Sequence, residues 1–207
     1  MNDWPFDHLT PMKYGAILVD YPWPYEMRSA KGYEKSPEAH YETMPIAEGK
    51  KLPIAHLSDQ HCYLFLWSTW PHLKQAQDLM ESWGFDYVTG GAWIKRTVNW
   101  KLVFGTGYIQ RSATEPYLIG KIGRPQITSR SERNVIDAPL HIDDVPDKIE
   151  AIRREHSRKP IQMREMIDRL LPNAHKAELF AREPWGDNDV WGNQTTKFEE
   201  LKHVQQS

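Results

Sequence analysis

The sequence holds a single cysteine, Cys62, set inside an apolar run. That excludes an intramolecular disulfide framework and any cysteine-rich zinc site. No apolar stretch approaches the roughly 18 residues a membrane-spanning helix needs. The opening MNDWPFDHLTPMK lacks the basic and apolar regions of a secretion signal. The expected location is the cytoplasm, or the nucleus in a eukaryote, with no membrane partner. Charge of one sign does not dominate either: the formal net charge is -2, so overall charge announces no nucleic-acid binder. Internal repeats and low-complexity linkers are absent. The 9 histidines show no His-Glu-x-x-His spacing, so no metal site is expected. Neither a Gly-Lys-Ser/Thr phosphate loop nor a Gly-x-Ser-x-Gly elbow is present, which leaves nucleotide-triphosphatase and hydrolase readings unsupported. The GTG at 105–107 lacks the third glycine and the strand-to-helix setting of a dinucleotide fingerprint, and reads as a loop hinge.

What is present fits one globular domain with a sizeable core: 207 residues, 40% apolar and 26% charged. The 9 tryptophans exceed what such a core normally uses, so some are available to stack on ligands. Basic residues concentrate in RREHSRKPIQMR (153–164), which gathers Arg153, Arg154, Arg158, Lys159 and Arg164, while acids gather around 143–150 and 183–200. Such a run forms a solvated face or a phosphate-facing one.

Strand-like and helix-like runs alternate. Strands are predicted over 16–20, 62–69, 87–97, 115–123 and 176–182, with NVIDAP (134–139) as a short further one. WPHLKQAQDLMESWG has Pro71 in a first turn, Leu73, Ala76, Leu79 or Met80, and Trp83 at helical spacing, and Gly84 as the stop. KPIQMREMIDRLLPN starts a second helix at Pro160, with Ile161, Met166, Ile167, Leu170 and Leu171 on or near one face. This alternation predicts an α/β sandwich on a mostly parallel sheet. Long loops are expected near 26–60, 97–111 and 124–147. In an open α/β sheet ligands bind at the carboxyl ends of strands, where Asp20, Lys95 and Arg182 fall.

The stretch ILVDYPWPY (17–25) is the most unusual. An apolar strand ends in Asp20, and then Pro22 and Pro24 stop sheet pairing and hold Tyr21 and Trp23 extended. A carboxylate beside fixed carbonyls and flat aromatic faces suits a planar, polar ring; a turn cap needs only the acid.

DYPW, HYETM, LFLWST, WGFDYVTGGAWIKR, SRKP and ELFAR…WGNQ follow one another in the order found in the MT-A70 family of N6-adenine methyltransferases, which the chain resembles from about residue 15 to 195. The resemblance implies a Rossmann-like S-adenosylmethionine-dependent methyltransferase fold, a mostly parallel sheet with helices on both faces, and a catalytic motif ahead of much of the cofactor site. It implies one methyltransferase domain over 1–207. The family's Asp-Pro-Pro-Trp motif maps to Asp20, Tyr21, Pro22 and Trp23, with Tyr21 in place of a proline. The lysine that looks toward the cofactor's carboxylate matches Lys159, and Arg158 stands where the family has histidine. Glu178, Phe180, Arg182, Asn193 and Gln194 match residues at the cofactor's ribose and adenine. Tyr41 matches a loop tyrosine over the target adenosine, and Lys95 and Glu115 align with polar residues near the target base. Trp23 or Tyr25 is the expected stacking face for that base.

The resemblance implies methyl transfer to adenine in DNA, single-stranded or with the base flipped out. RNA is the alternative substrate, and a non-catalytic, nucleic-acid-binding partner subunit or a homodimer the alternative arrangement. A methyltransferase acting on free nucleotides fits the size but not the basic segments. The compact chain resembles phage or bacterial forms, without zinc fingers or room for a separate target-recognition domain, so a short or weak sequence preference is expected. Lys101, Arg111, Arg124, Arg130 and Arg133 join the 153–164 segment as candidate phosphate contacts.

Overall fold

The computed structural model describes residues 4–24, 43–105, 107, 109–140 and 158–193. Seven strands form one sheet among them: β1 (Tyr14–Val19), β2 (Ser58–Trp67), β3 (Asp86–Arg96), β4 (Thr114–Ile122), β5 (Val135–Pro139), β6 (Lys176–Leu179) and β7 (Asp189–Trp191), in the order β5-β3-β4-β2-β1-β6-β7. β1 pairs in parallel with β2 and β6, β3 with β5, and β6 with β7. Only β4 runs against its neighbours β2 and β3. The sheet is mostly parallel and Rossmann-like.

β1 reads YGAILV with hardly a polar side chain, because it is covered on both faces. Alternation sends Ile17 and Val19 to one side with Leu64, Leu66, Ala177 and Leu179, where Ala76, Leu79 and Met80 of a helix (Leu73–Ser82) pack on them. Ala16 and Leu18 go to the other side with Phe65 and Trp67, under Met163, Met166 and Ile167 of a second helix (Ile161–Leu170). With the one-turn helix Ile46–Gly49 as α1, these are α2 and α3. Cys62 is a buried free thiol in the first cluster.

α2 is entered through a 3-10 turn, Trp70–His72, with Pro71 inside it. It ends at Gly84, whose φ of 80° suits a residue without Cβ. There the Phe85 N–H donates to Met80 O and the Gly84 N–H to Glu81 O, closing the last turn.

Several boundaries differ from expectation. β2 begins at Ser58, before the apolar run, and 43–57 carry α1 and a 3-10 turn (Ile54–Leu57), so the expected loop over 26–60 is structured in its second part. Residues 26–42 lie outside the described residues, as do 141–147 of the third expected loop, which otherwise holds β5. β6 stops at Leu179 instead of reaching 182, because Phe180 turns to φ 60°. β7 was not predicted: three residues carry too little pattern. Ile161, expected on the apolar stripe of α3, is half exposed, and Met163 takes that place.

Tyr21 explains one glycine. Its ring is buried, and a methyl group at Gly49 would collide with it. Gly49→Ala is therefore expected to cost about 1–3 kcal/mol through overpacking. Denaturant unfolding of the purified variant checks this.

Candidate active site

The alternation that builds the core also selects which polar groups meet. On β1, Leu18 faces α3, so two residues on, past the strand's end, Asp20 comes out on the same side. On β3, Trp93 is followed two residues on by Lys95. β4 is antiparallel, so its first residues lie at the same end of the sheet, and Glu115 pairs in register with Trp93. On β6, Glu178 lies between the inward Ala177 and Leu179, and so faces α3. The residues before α3 add Arg158 and Lys159, and α3 itself adds Arg164.

Four of these side chains form a chain of alternating charge. Lys95 Nζ is 2.6 Å from Glu115 Oε2, Lys159 Nζ is 3.0 Å from Glu115 Oε1, and the same ammonium is 2.9 Å from Asp20 Oδ1. Their side chains are 11–20% exposed. Burial alone would raise the Glu115 carboxyl, but the Lys159 and Lys95 charges outweigh it and hold it at about 2. For Lys159 burial opposes the charge, and the Asp20 and Glu115 carboxylates more than restore it, so its pKa is raised. The Lys159 ammonium also lies 5.7 Å from the centre of the Trp67 ring.

A second cluster adjoins the first. Arg164 Nε donates to Glu178 Oε2 at 2.7 Å, Nη1 to Pro184 O at 2.9 Å and Nη2 to Glu183 O at 3.1 Å. Arg158 grips the Glu183 carboxylate with two nitrogens. Burial pushes the Glu178 carboxyl up to about 7, against the pull of Arg164 and with help from the nearby Asp20 and Glu183 charges. Leu18, Asp20, Trp67, Lys159, Glu178, Phe180 and Arg182 line one cleft together with Arg158, Arg164 and Glu183.

Local backbone chemistry makes these positions stiff. Glu115, Lys159 and Glu183 each precede a proline, which biases them to extended geometry. At Asp20-Tyr21-Pro22-Trp23 the Trp23 N–H donates to Tyr21 O at 2.9 Å, a three-residue turn around Pro22. The Tyr21 carbonyl, expected to face a ligand, thus already accepts one bond. The Tyr21 hydroxyl donates to Met44 O and Pro45 O, both at 2.9 Å, and the Met44 N–H donates to Pro22 O. Tyr21 is therefore a buried tether for the returning chain, and replacing it with proline would remove that tether. Trp23, expected as a stacking face, is 8% exposed, with the His72 ring stacked on it at 5.3 Å and its Nε1 donating to Trp67 O. Gly192 of WGNQ lets β7 press on the turn after β6: a Cβ there would meet Ala181 O at 2.7 Å.

Of the expected residues, Asp20, Lys159, Glu178, Phe180 and Arg182 converge on the cleft, and Lys95 and Glu115 join through ion pairs. Tyr21 and Trp23 are packed behind it, and Pro22 forms the turn between them. Asn193 is exposed beyond β7. Tyr25, Tyr41 and Gln194 lie outside the described residues, as do Arg153 and Arg154. The described basic residues of the 153–164 segment pair within the protein. Arg158, Lys159 and Arg164 point at acids of this protein, because charges this far from water need counter-charges. Lys101, Arg111, Arg124, Arg130 and Arg133 are exposed. Sequence reasoning missed the inward role of Arg164. Its signal was a charge spaced with Pro160, Ile167 and Leu171 on the apolar stripe of α3.

The donor set fits S-adenosylmethionine. A zwitterionic amino acid on a sulfonium needs cations and carboxylates interleaved, as Lys159 and Arg182 are with Glu178. The buried Trp67 Nε1, in a residue that lines the cleft, has no hydrogen-bond partner among the described residues.

Comparison with known proteins agrees with the geometry. A family model described as MT-A70 matches residues 14–194. The Type II methyltransferase M.MunI of a Mycoplasma species is 31% identical over 203 residues, covering 90% of this chain and 80% of that protein. The human N(6)-adenosine-methyltransferase catalytic subunit METTL3 is 27% identical over 82% of this chain but 26% of its own length. The human N(6)-adenine-specific methyltransferase METTL4 is 25% identical over 92% of this chain and 39% of its own.

Two measurements probe the charge clusters. Glu115→Gln leaves two ammonium groups without their shared counter-charge, and a loss of about 3–5 kcal/mol in urea unfolding is expected. Glu178 has a distinct pH signature. Its folded pKa, about 7, lies above the roughly 4.3 of an unfolded glutamate, so the folded state binds the extra proton between them. Its contribution is full below pH ~4 and is lost as pH rises toward 7. A Tm series over that range should fall less steeply for Glu178→Gln than for the wild type.

Proposed function

Because the chain belongs to the MT-A70 family, we propose that it is an S-adenosylmethionine-dependent N6-adenine methyltransferase acting on DNA. The observation that carries this is Asp20 at the carboxyl end of β1, paired with Lys159 at a cleft of interleaved charges. DNA is favoured because identity to the Type II methyltransferase, 31%, is higher than to the human adenosine methyltransferase, 27%. The exposed Lys101, Arg111, Arg124, Arg130 and Arg133 supply charge for a phosphate backbone.

S-adenosylmethionine supplies an electrophilic methyl group on a sulfonium when bound. Lys159 and Arg182 would hold its carboxylate and ribose end, with Glu178, Phe180, Asn193 and Gln194 around the rest. The target is a poor nucleophile, since the lone pair of the exocyclic amine is delocalised into the adenine ring. Asp20 counters that. Lys159 takes Oδ1 and leaves Oδ2 to accept an amine N–H, which favours the pyramidal nitrogen that attack requires. The Tyr21 carbonyl, with its second lone pair, takes the other N–H. A methylated amine has one surplus proton to give up, and Asp20 or water would take it. Acceptors help only if fixed beforehand, and the Pro22 turn and the Lys159 ion pair fix these two.

Asp20→Ala should lower transfer about 10²–10³-fold or more while leaving cofactor affinity nearly intact. The assay supplies labelled S-adenosylmethionine with single-stranded DNA, duplex DNA or RNA, then digests to nucleosides for mass spectrometry. N6-methyladenine in a DNA pool supports the proposal, and product in RNA alone overturns the substrate choice. No product anywhere, with no cofactor binding, would assign the chain to a non-catalytic partner role.

A further inference from the structure

With Trp23 packed away behind His72, another aromatic is offered at the same end of the sheet. Trp70, in the 3-10 turn that leads from β2 into α2, is 50% exposed although it is among the largest apolar side chains of the protein. It is not loose. Its Nε1 donates to Thr114 Oγ1 at 2.9 Å, and the Ser68 N–H, two residues earlier, donates to Pro116 O at 2.9 Å. The turn is thus fastened to β4 on both sides of Glu115. Two residues after Trp70, His72 stacks on Trp23 and its Nδ1 lies 2.7 Å from Thr69 Oγ1. The short turn therefore bridges the Asp20–Trp23 loop and the strand that carries Glu115. Thr114 and Glu115 point to opposite sides of β4, so Trp70 stands across the rim of the sheet from the charged cleft, bonded to the residue next to Glu115.

An exposed indole held by its polar tip suits a base-stacking platform. We infer that Trp70 stacks on a nucleobase next to the target adenine. This rests on the nucleic-acid reading above and adds a binding position to it. The target base goes to the Asp20 side of the rim, and its neighbour, splayed out of the stack, lies on Trp70. Stacking is tolerant of base identity, so the contact contributes affinity and register more than sequence choice.

The test uses a short, fluorescently labelled single-stranded DNA oligonucleotide containing one adenine, read by anisotropy, with methyl transfer, S-adenosylhomocysteine calorimetry and thermal melts in parallel. Trp70→Ala is expected to raise the oligonucleotide Kd about 5- to 150-fold. Its S-adenosylhomocysteine Kd should match the wild type. Trp70→Phe and Thr114→Val, which keep a ring but lose its tether, should weaken binding about 2- to 12-fold and keep the issue decidable if the alanine variant fails to fold. An unchanged oligonucleotide Kd in folded variants overturns the inference, as does an equal loss of cofactor binding. A wild type that binds no oligonucleotide overturns both this and the substrate reading. A wild type that binds but does not methylate overturns the activity alone, and the Kd comparison still decides the role of Trp70.

Discussion

The Lys159 ammonium, shared between Asp20 and Glu115, is the contact on which the carboxyl end of the sheet depends. It joins the approach to α3 to β1 and β4, and through Lys95 to β3. Three carboxylates and several cations could not stand together in this little water unless each met an opposite charge; removing one partner of such a pair typically costs about 3–5 kcal/mol. The alternation Lys95, Glu115, Lys159, Asp20 meets that requirement, and Lys159 engages only one oxygen of Asp20. In the proposed reaction Lys159 would address both the target amine's acceptor and the cofactor's carboxylate, which would link its two halves.

Topology makes this possible. β1 is central, flanked by the parallel β2 and β6, so Asp20 and Trp67 reach the same end of the sheet and Glu178 lies in register with Leu18, two residues short of Asp20. β4 contributes because it is antiparallel: its first residues, not its last, reach the same end. Prolines then stiffen the positions just gained. Tyr21, Glu115, Lys159 and Glu183 all precede one, so their backbones are held before any ligand arrives. Preorganisation of this kind is what a reaction with a weak nucleophile requires of its acceptors.

Much of this was legible in the sequence. Long apolar runs such as ILV and CYLFLW admit few alternatives to buried strands, and Asp20 stands out because it closes one of them. What pattern alone obscured had physical causes. The polar start of β2 follows from its pairing with β1, where Tyr14 faces Ser58, not from its own composition. Arg158 and Arg164 read as part of a solvated basic face because their counter-charges, Glu183 and Glu178, come from a strand region distant in sequence. Tyr21 and Trp23 read as ligand-facing aromatics because nothing local reveals that Gly49, Met44 and His72 enclose them. Trp70 looked like an ordinary helix-start residue, and only its tether to Thr114 distinguishes it.

In the proposed reaction Lys159 would tie the cofactor to Asp20. Isothermal titration of S-adenosylhomocysteine into the wild type and Lys159→Met, with melting curves to establish that both are folded, tests it most directly. Measurable binding by the wild type and at least a tenfold weaker Kd for the variant, about 1.4 kcal/mol, is the predicted result. Equal affinity in a folded Lys159→Met protein would contradict it.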